Sequence, residues 1–101
     1  MIIDMHAHWR PRALAEALKQ RTKPPLIEIN AKGEEIYRDA RRAVPAHTMF
    51  DDMDARLSSM NRLGISTAVL SLFGQLQWIE RLPAQESLAL CQVHNNAIGE
   101  I

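Results

Sequence analysis

At 101 residues, with 47% hydrophobic and 24% charged side chains, the chain has room for one small domain and enough apolar content for a packed core, which excludes a disordered protein. Its 12 basic and 12 acidic residues cancel, so the field that draws nucleic acid or anionic lipid to a basic surface is missing. A single cysteine, Cys91, excludes an internal disulfide, no apolar run approaches the ~20 residues that span a bilayer, and Asp4 interrupts the N-terminus too early for a secretory signal; all three point to a cytoplasmic protein.

Residues Ile2 to Met5 read as a short buried strand that begins almost without a leader, and the pair His6 and His8 follows at its end. The run PRALAEALKQ, from Pro11 to about Gln20, predicts a helix with proline in its first turn and Ala13, Leu14 and Leu18 on one side; Pro24 and Pro25 lie beyond its end. LIEI and EEIY, between Leu26 and Tyr37, alternate apolar with polar residues around Asn30 to Gly33, which predicts a hairpin with glycine available for a positive φ. Arg38 to His47 has no clear period and is expected to be loop.

Thr48 followed by Asp51 resembles a capping box, and Asp51, Asp52 and Asp54 crowd the first turn of a predicted helix. Met53, Leu57 and Met60 share a face of that helix, and Gly64 stands where a C′ glycine belongs. ISTAVLSL, Ile65 to Leu72, then reads as a strand covered on both faces. A last helix opens near Pro83 with Leu88, Cys91, Ala97 and Ile98 along one side, and its pattern is still running at Ile101. Two buried strands separated by helices predict an α/β fold with parallel strands, and two such strands need further neighbours. The chain is therefore expected to be part of something larger.

On an extended strand alternate side chains share a face, so His6 and His8 point to one side and Asp4 joins them two positions earlier. Two convergent imidazoles suit zinc and similar divalent ions, but catalytic sites usually supply three protein ligands, so the pair is half a site. The bare HxH triplet also arises by chance or as histidines that hydrogen-bond within a turn. The apolar strand before it favours the metal reading.

With IIDMHAH at the start, the GEEIYRD hairpin, DDMDARLSSMNRLGI running into STAVLS, and PAQESLALCQVHNN, the sequence resembles the amidohydrolase-related metal enzymes, in the branch that includes aminocarboxymuconate semialdehyde decarboxylase. The resemblance implies the N-terminal fragment of a (β/α)8 TIM barrel with an inserted β-hairpin, since a complete barrel needs about 250 residues. It also implies a divalent metal, usually zinc, with His6 and His8 as its first two ligands, and the remaining ligands and catalytic groups beyond residue 101. Arg38 falls where that branch has an arginine suited to clamping a substrate carboxylate, although an ordinary solvated arginine near Arg41 and Arg42 is the competing interpretation. Asn61, where many relatives have aspartate, lies on the outer helix.

Other candidates carry plainer expectations. Trp9 and Trp78 are expected to pack, His47 and His94 to be surface or capping histidines, and Cys91 to be an apolar filler. The enzymatic expectation is a metal-dependent hydrolase or nonoxidative decarboxylase acting on a small carboxylated or cyclic molecule, dimeric when complete, with the 101-residue chain alone inactive. Two alternatives stand beside it. One is a non-catalytic association module that uses its exposed strand edges; the other is a metal-dependent phosphoesterase or nuclease of a related barrel group, against which the neutral charge counts.

Overall fold

The computed structural model describes residues 1–46, 51–72 and 79–101. In chain order these form β1 (Ile2–Trp9), α1 (Arg12–Lys19), β2 (Leu26–Ile29), β3 (Glu35–Arg38), β4 (Ala43–Pro45), α2 (Met53–Leu63), β5 (Ile65–Leu72), a single 3-10 turn (Ile79–Arg81) and α3 (Ala84–Gly99). Strands β1 and β5 pair in parallel, and β2, β3 and β4 form a separate antiparallel meander. The result is a mixed α/β arrangement, and the described residues form no closed barrel.

Strand β1 is longer than expected and carries both histidines within it rather than after it. Its ladder with β5 is irregular. Between the Asp4–Ala68 and Ala7–Leu70 pairs, β1 advances three residues while β5 advances two, a bulge that places Met5 and His6 outside the regular register. Pairing resumes at His8–Ser71 and Trp9–Leu72.

Helix α1 begins after Pro11, whose carbonyl accepts the N–H groups of Leu14 and Ala15. It buries Leu14, Ala15 and Leu18. Ala13, expected on that face, is exposed and Ala15 takes its place. The hairpin predicted from Leu26 is present as β2 and β3. Its turn is organised by Asn30, whose side-chain oxygen accepts the N–H groups of Lys32 and Glu34 at 2.9 Å each, with Gly33 at φ +79°. The segment expected to be loop after Arg38 contains β4, which pairs with β3. Asp39 makes the reversal: its carboxylate accepts the N–H groups of Arg41 at 2.7 Å and Arg42 at 2.9 Å. A three-residue strand is too short to show a period, which is why the pattern hid it.

Thr48 lies outside the described residues. The cap of α2 is Asp52, whose carboxylate accepts Ala55 N–H at 2.9 Å. Of the face expected to be apolar, Met53 and Met60 are half-buried and Leu57 is exposed; α2 buries no residue fully. Gly64 ends it at φ +72°, as the C′ position predicted, and feeds directly into β5. β5 has the expected span but not the expected cover, for Val69 is 44% exposed. On β1, Ile2, Ile3 and Met5 are likewise exposed.

The core lies elsewhere. Leu14, Ala15 and Leu18 of α1 meet Ile27 of β2, Tyr37 of β3, Ala46, Ile79 and Leu90 of α3. The buried stripe of α3 is thus Leu90 and His94, with Val93 packed alongside, whereas Leu88 and Cys91 of the predicted face are exposed. Apolar residues recur all round this helix, so its own period did not select a face; packing against α1 did.

Two substitutions test this layout. A Cβ at Gly64 meets only the tip of Ile2, 4.0 Å away. Gly64→Ala therefore pays the left-handed backbone cost alone and should lower stability by about 1 kcal/mol. Leu14→Ala removes a side chain with no exposed surface and should cost about 3 kcal/mol. Urea midpoints measure both, and a neutral Leu14→Ala would mean that the core is not where it is placed.

Candidate metal centre

His6 and His8 come together at the C-terminal end of β1. Their Nε2 atoms are 3.2 Å apart, with ring centroids 4.7 Å apart and planes at 89°. His6 is exposed and His8 half-buried, while Ala7 and Trp9, the alternate residues, are buried. Strand alternation therefore works as expected over this stretch.

The ring of His8 is oriented by the neighbouring strand. Its Nδ1 lies 2.9 Å from the carbonyl oxygen of Leu72, the last residue of β5. A carbonyl only accepts, so Nδ1 carries the proton and donates, which leaves a lone pair on Nε2. That is the tautomer an imidazole needs to bind a metal through Nε2, with its other nitrogen donating to a backbone acceptor. Two nitrogens each bound at ~2.0–2.1 Å to one tetrahedral zinc stand about 3.4 Å apart. The observed 3.2 Å separation is close to that spacing, and without a metal it is also the distance of a hydrogen bond in which His6 Nε2–H donates to the His8 Nε2 lone pair.

Asp4 does not join them as a ligand, because the bulge breaks the phase between Asp4 and His6. Its Oδ1 accepts the His6 backbone N–H at 3.1 Å. The Asp4 side chain also borders a cavity of about 230 Å³ formed with Arg56, Ser59, Met60 and Leu63 of α2 and with Ile65. Among the described residues, no group of three or more His, Cys, Asp or Glu side chains is placed to hold a metal ion.

Arg38 is exposed on β3 and forms an ion pair with Glu28 on β2, its Nε donating at 3.1 Å. Trp78 and His47 lie outside the described residues. Trp9 packs as expected, and Arg56 of α2 sits over its ring at 5.6 Å. His94 is not a surface histidine: it is 8% exposed, its Nε2 is buried without a hydrogen-bond partner, and its ring borders a cavity of about 280 Å³ with Leu72, Ile79, Cys91 and Asn95. A histidine on the inner stripe of α3 cannot be told from one on the outer side by sequence, because the stripe itself was not legible.

Sequence reasoning missed the charged cluster beside the histidine strand. Arg10 follows β1 directly, is 1% exposed, and donates to Asp51 at 2.6 Å. Arg12 reaches Glu35 at 2.9 Å and Asp51 at 3.4 Å, and Lys19 reaches Glu35 at 2.8 Å. These pairs tie the end of β1 and both ends of α1 to β3 and to the residue before the cap of α2. Asp51, expected to serve the helix terminus, serves this cluster instead. The hydrogen bond from Lys19 holds the Glu35 carboxyl below the usual carboxylate range against the opposing effect of burial, and Arg12 adds to the lowering. An arginine after a strand and an aspartate before a helix are ordinary in sequence, so only their pairing marks them.

No protein-family model matches the chain, and no curated protein matches it.

The cluster predicts a pH dependence of stability. The pKa of Glu35 is depressed in the folded state, so its contribution is fully present above the ordinary glutamate range and is lost as pH falls through the folded value. Glu35→Gln should lower the urea midpoint at neutral pH and flatten its decline as the solution is acidified below the ordinary glutamate range. An unchanged acid limb would remove Glu35 from the cluster's energetics.

Proposed function

We propose that the chain is the N-terminal part of a metal-dependent (β/α)8 enzyme, a hydrolase or nonoxidative decarboxylase of the amidohydrolase-related type, in which His6 and His8 supply two ligands to a divalent ion, zinc before others. The observation that carries this is the pair of Nε2 atoms 3.2 Å apart, with His8 fixed by Leu72 in the ligating tautomer. Three further features support it. β1 and β5 are adjacent and parallel, and α2 runs straight into β5, as successive strands of a parallel barrel require. The histidines stand at the C-terminal end of their strand, the end that carries reaction centres in such barrels. The motifs that resemble the family run in order along nearly the whole chain.

When bound, the ion would lower the pKa of a bound water or polarise a substrate oxygen. The residues of this chain hold and orient. Leu72 presents the acceptor that turns the His8 ring, His8 offers Nε2, and the exposed His6 supplies the second nitrogen. The substrate reading is a small carboxylated or cyclic molecule; Arg38 would meet its carboxylate only by exchanging Glu28 for it.

The exposed apolar residues Ile2, Ile3, Met5 and Val69 favour a second reading, in which the β1–β5 pair is an association surface without chemistry. Zinc titration followed by the imidazole NMR signals separates the two. The metal reading expects the His6 and His8 signals to shift together and His8→Ala to reduce zinc affinity about 10-fold or more. Signals that stay still under zinc, in a chain that self-associates by size exclusion, would favour the association surface. In the product of the complete coding sequence, His6→Ala should abolish carboxy-lyase or hydrolase turnover; turnover that survives both this substitution and a chelator would end the proposal that a metal held by His6 and His8 does the chemistry.

A further inference from the structure

The end of β1 is gripped from the side opposite the imidazoles by one residue of α2. The Nη2 of Arg56 donates to the backbone carbonyl of His8, and the same guanidinium lies over the ring of Trp9, 5.6 Å from its centroid. Trp9 is 5% exposed, and the Nε of Arg56 is buried without a partner. A desolvated guanidinium left partly unsatisfied carries a cost, offset here by the carbonyl and the indole face.

We infer that Arg56 is a positioning residue for His8: by holding its carbonyl and clamping Trp9 behind it, Arg56 keeps the His8 ring where Nδ1 donates to Leu72 and Nε2 faces His6. The inference rests on the metal reading for its functional meaning but not for its geometry. Both β5 and α2 constrain His8. The ladder fixes its backbone opposite Ser71, the Leu72 carbonyl fixes its ring, and Arg56 fixes its carbonyl. The ladder and the Leu72 carbonyl belong to β5, and the Arg56 contact comes from α2. The bulge at Met5 and His6 leaves the ladder N-terminal to His8 irregular, so the strand end depends on the additional hold. Arginine suits this task better than lysine, because its flat fork can donate in plane while stacking on an aromatic ring.

The test reads the His8 tautomer by nitrogen-15 NMR of the full metal-free chain at a pH where imidazoles are neutral, and then repeats it with zinc chloride. The expected order of the Nδ1–H fraction at His8 is wild type and Arg62→Ala highest, Arg56→Lys intermediate and Arg56→Ala lowest. Arg62, exposed in the last turn of α2, controls for loss of helix charge. With zinc, Arg56→Ala should bind about 10-fold more weakly than wild type. A wild-type tautomer in both Arg56 variants would overturn the inference, as would an equal fall in Arg62→Ala. Should Arg56→Ala lose its dispersed amide spectrum, Arg56→Lys decides alone, and a wild-type tautomer there overturns it. Zinc that leaves both wild-type imidazoles unmoved overturns the metal reading instead, and the tautomer order still judges Arg56.

Discussion

The parallel ladder between β1 and β5 is the constraint on which the candidate site depends. Side by side and in the same direction, the two strands bring the Leu72 carbonyl to the His8 ring and so choose which imidazole nitrogen keeps its lone pair. A pair of histidines on an isolated strand would have no such choice made for it. The hydrogen bond spans 64 residues of sequence and turns a local HxH pattern into a directed pair of nitrogens.

That same ladder leaves much unpartnered. Strands β1 and β5 have no other strand neighbour among the described residues, and several of their apolar side chains are exposed. The burial that holds the chain together is supplied by α1, the meander and α3, whose core excludes most of the parallel pair. Between the two regions run the charged contacts of Arg10, Arg12, Lys19, Glu35 and Asp51. Arg10 and Asp51 are largely withdrawn from water, and either one left alone would be a buried charge without compensation. The cluster therefore fixes the exit from the histidine strand relative to the start of α2. From that helix Arg56 reaches back to His8.

Much of the element order was legible because it rests on local chemistry. The Asn30–Gly33 turn, the glycine at position 64 and the β-branched run from Ile65 each impose a backbone conformation on their neighbours with little help from distant residues. Elements whose identity depends on partners were not legible. β4 exists only because Asp39 turns the chain back onto β3, and the inner face of α3 exists only because α1 packs there. The cap of α2 fell to Asp52 while Asp51 was drawn to Arg10, a competition between neighbouring aspartates that no local rule decides.

By itself the sequence determined the two histidines' common side, the strands that flank them, and the turns between, since strand alternation and turn chemistry act over a few residues. Only the tertiary structure decided that Asp4 leaves the histidines, that His94 is buried, that Arg38 pairs with Glu28, and that Arg56 and Leu72 hold His8. Each of those outcomes depends on which distant group arrives at hydrogen-bond distance. That is settled by the register of the strands and the packing of the helices, quantities that residue spacing along a chain does not contain.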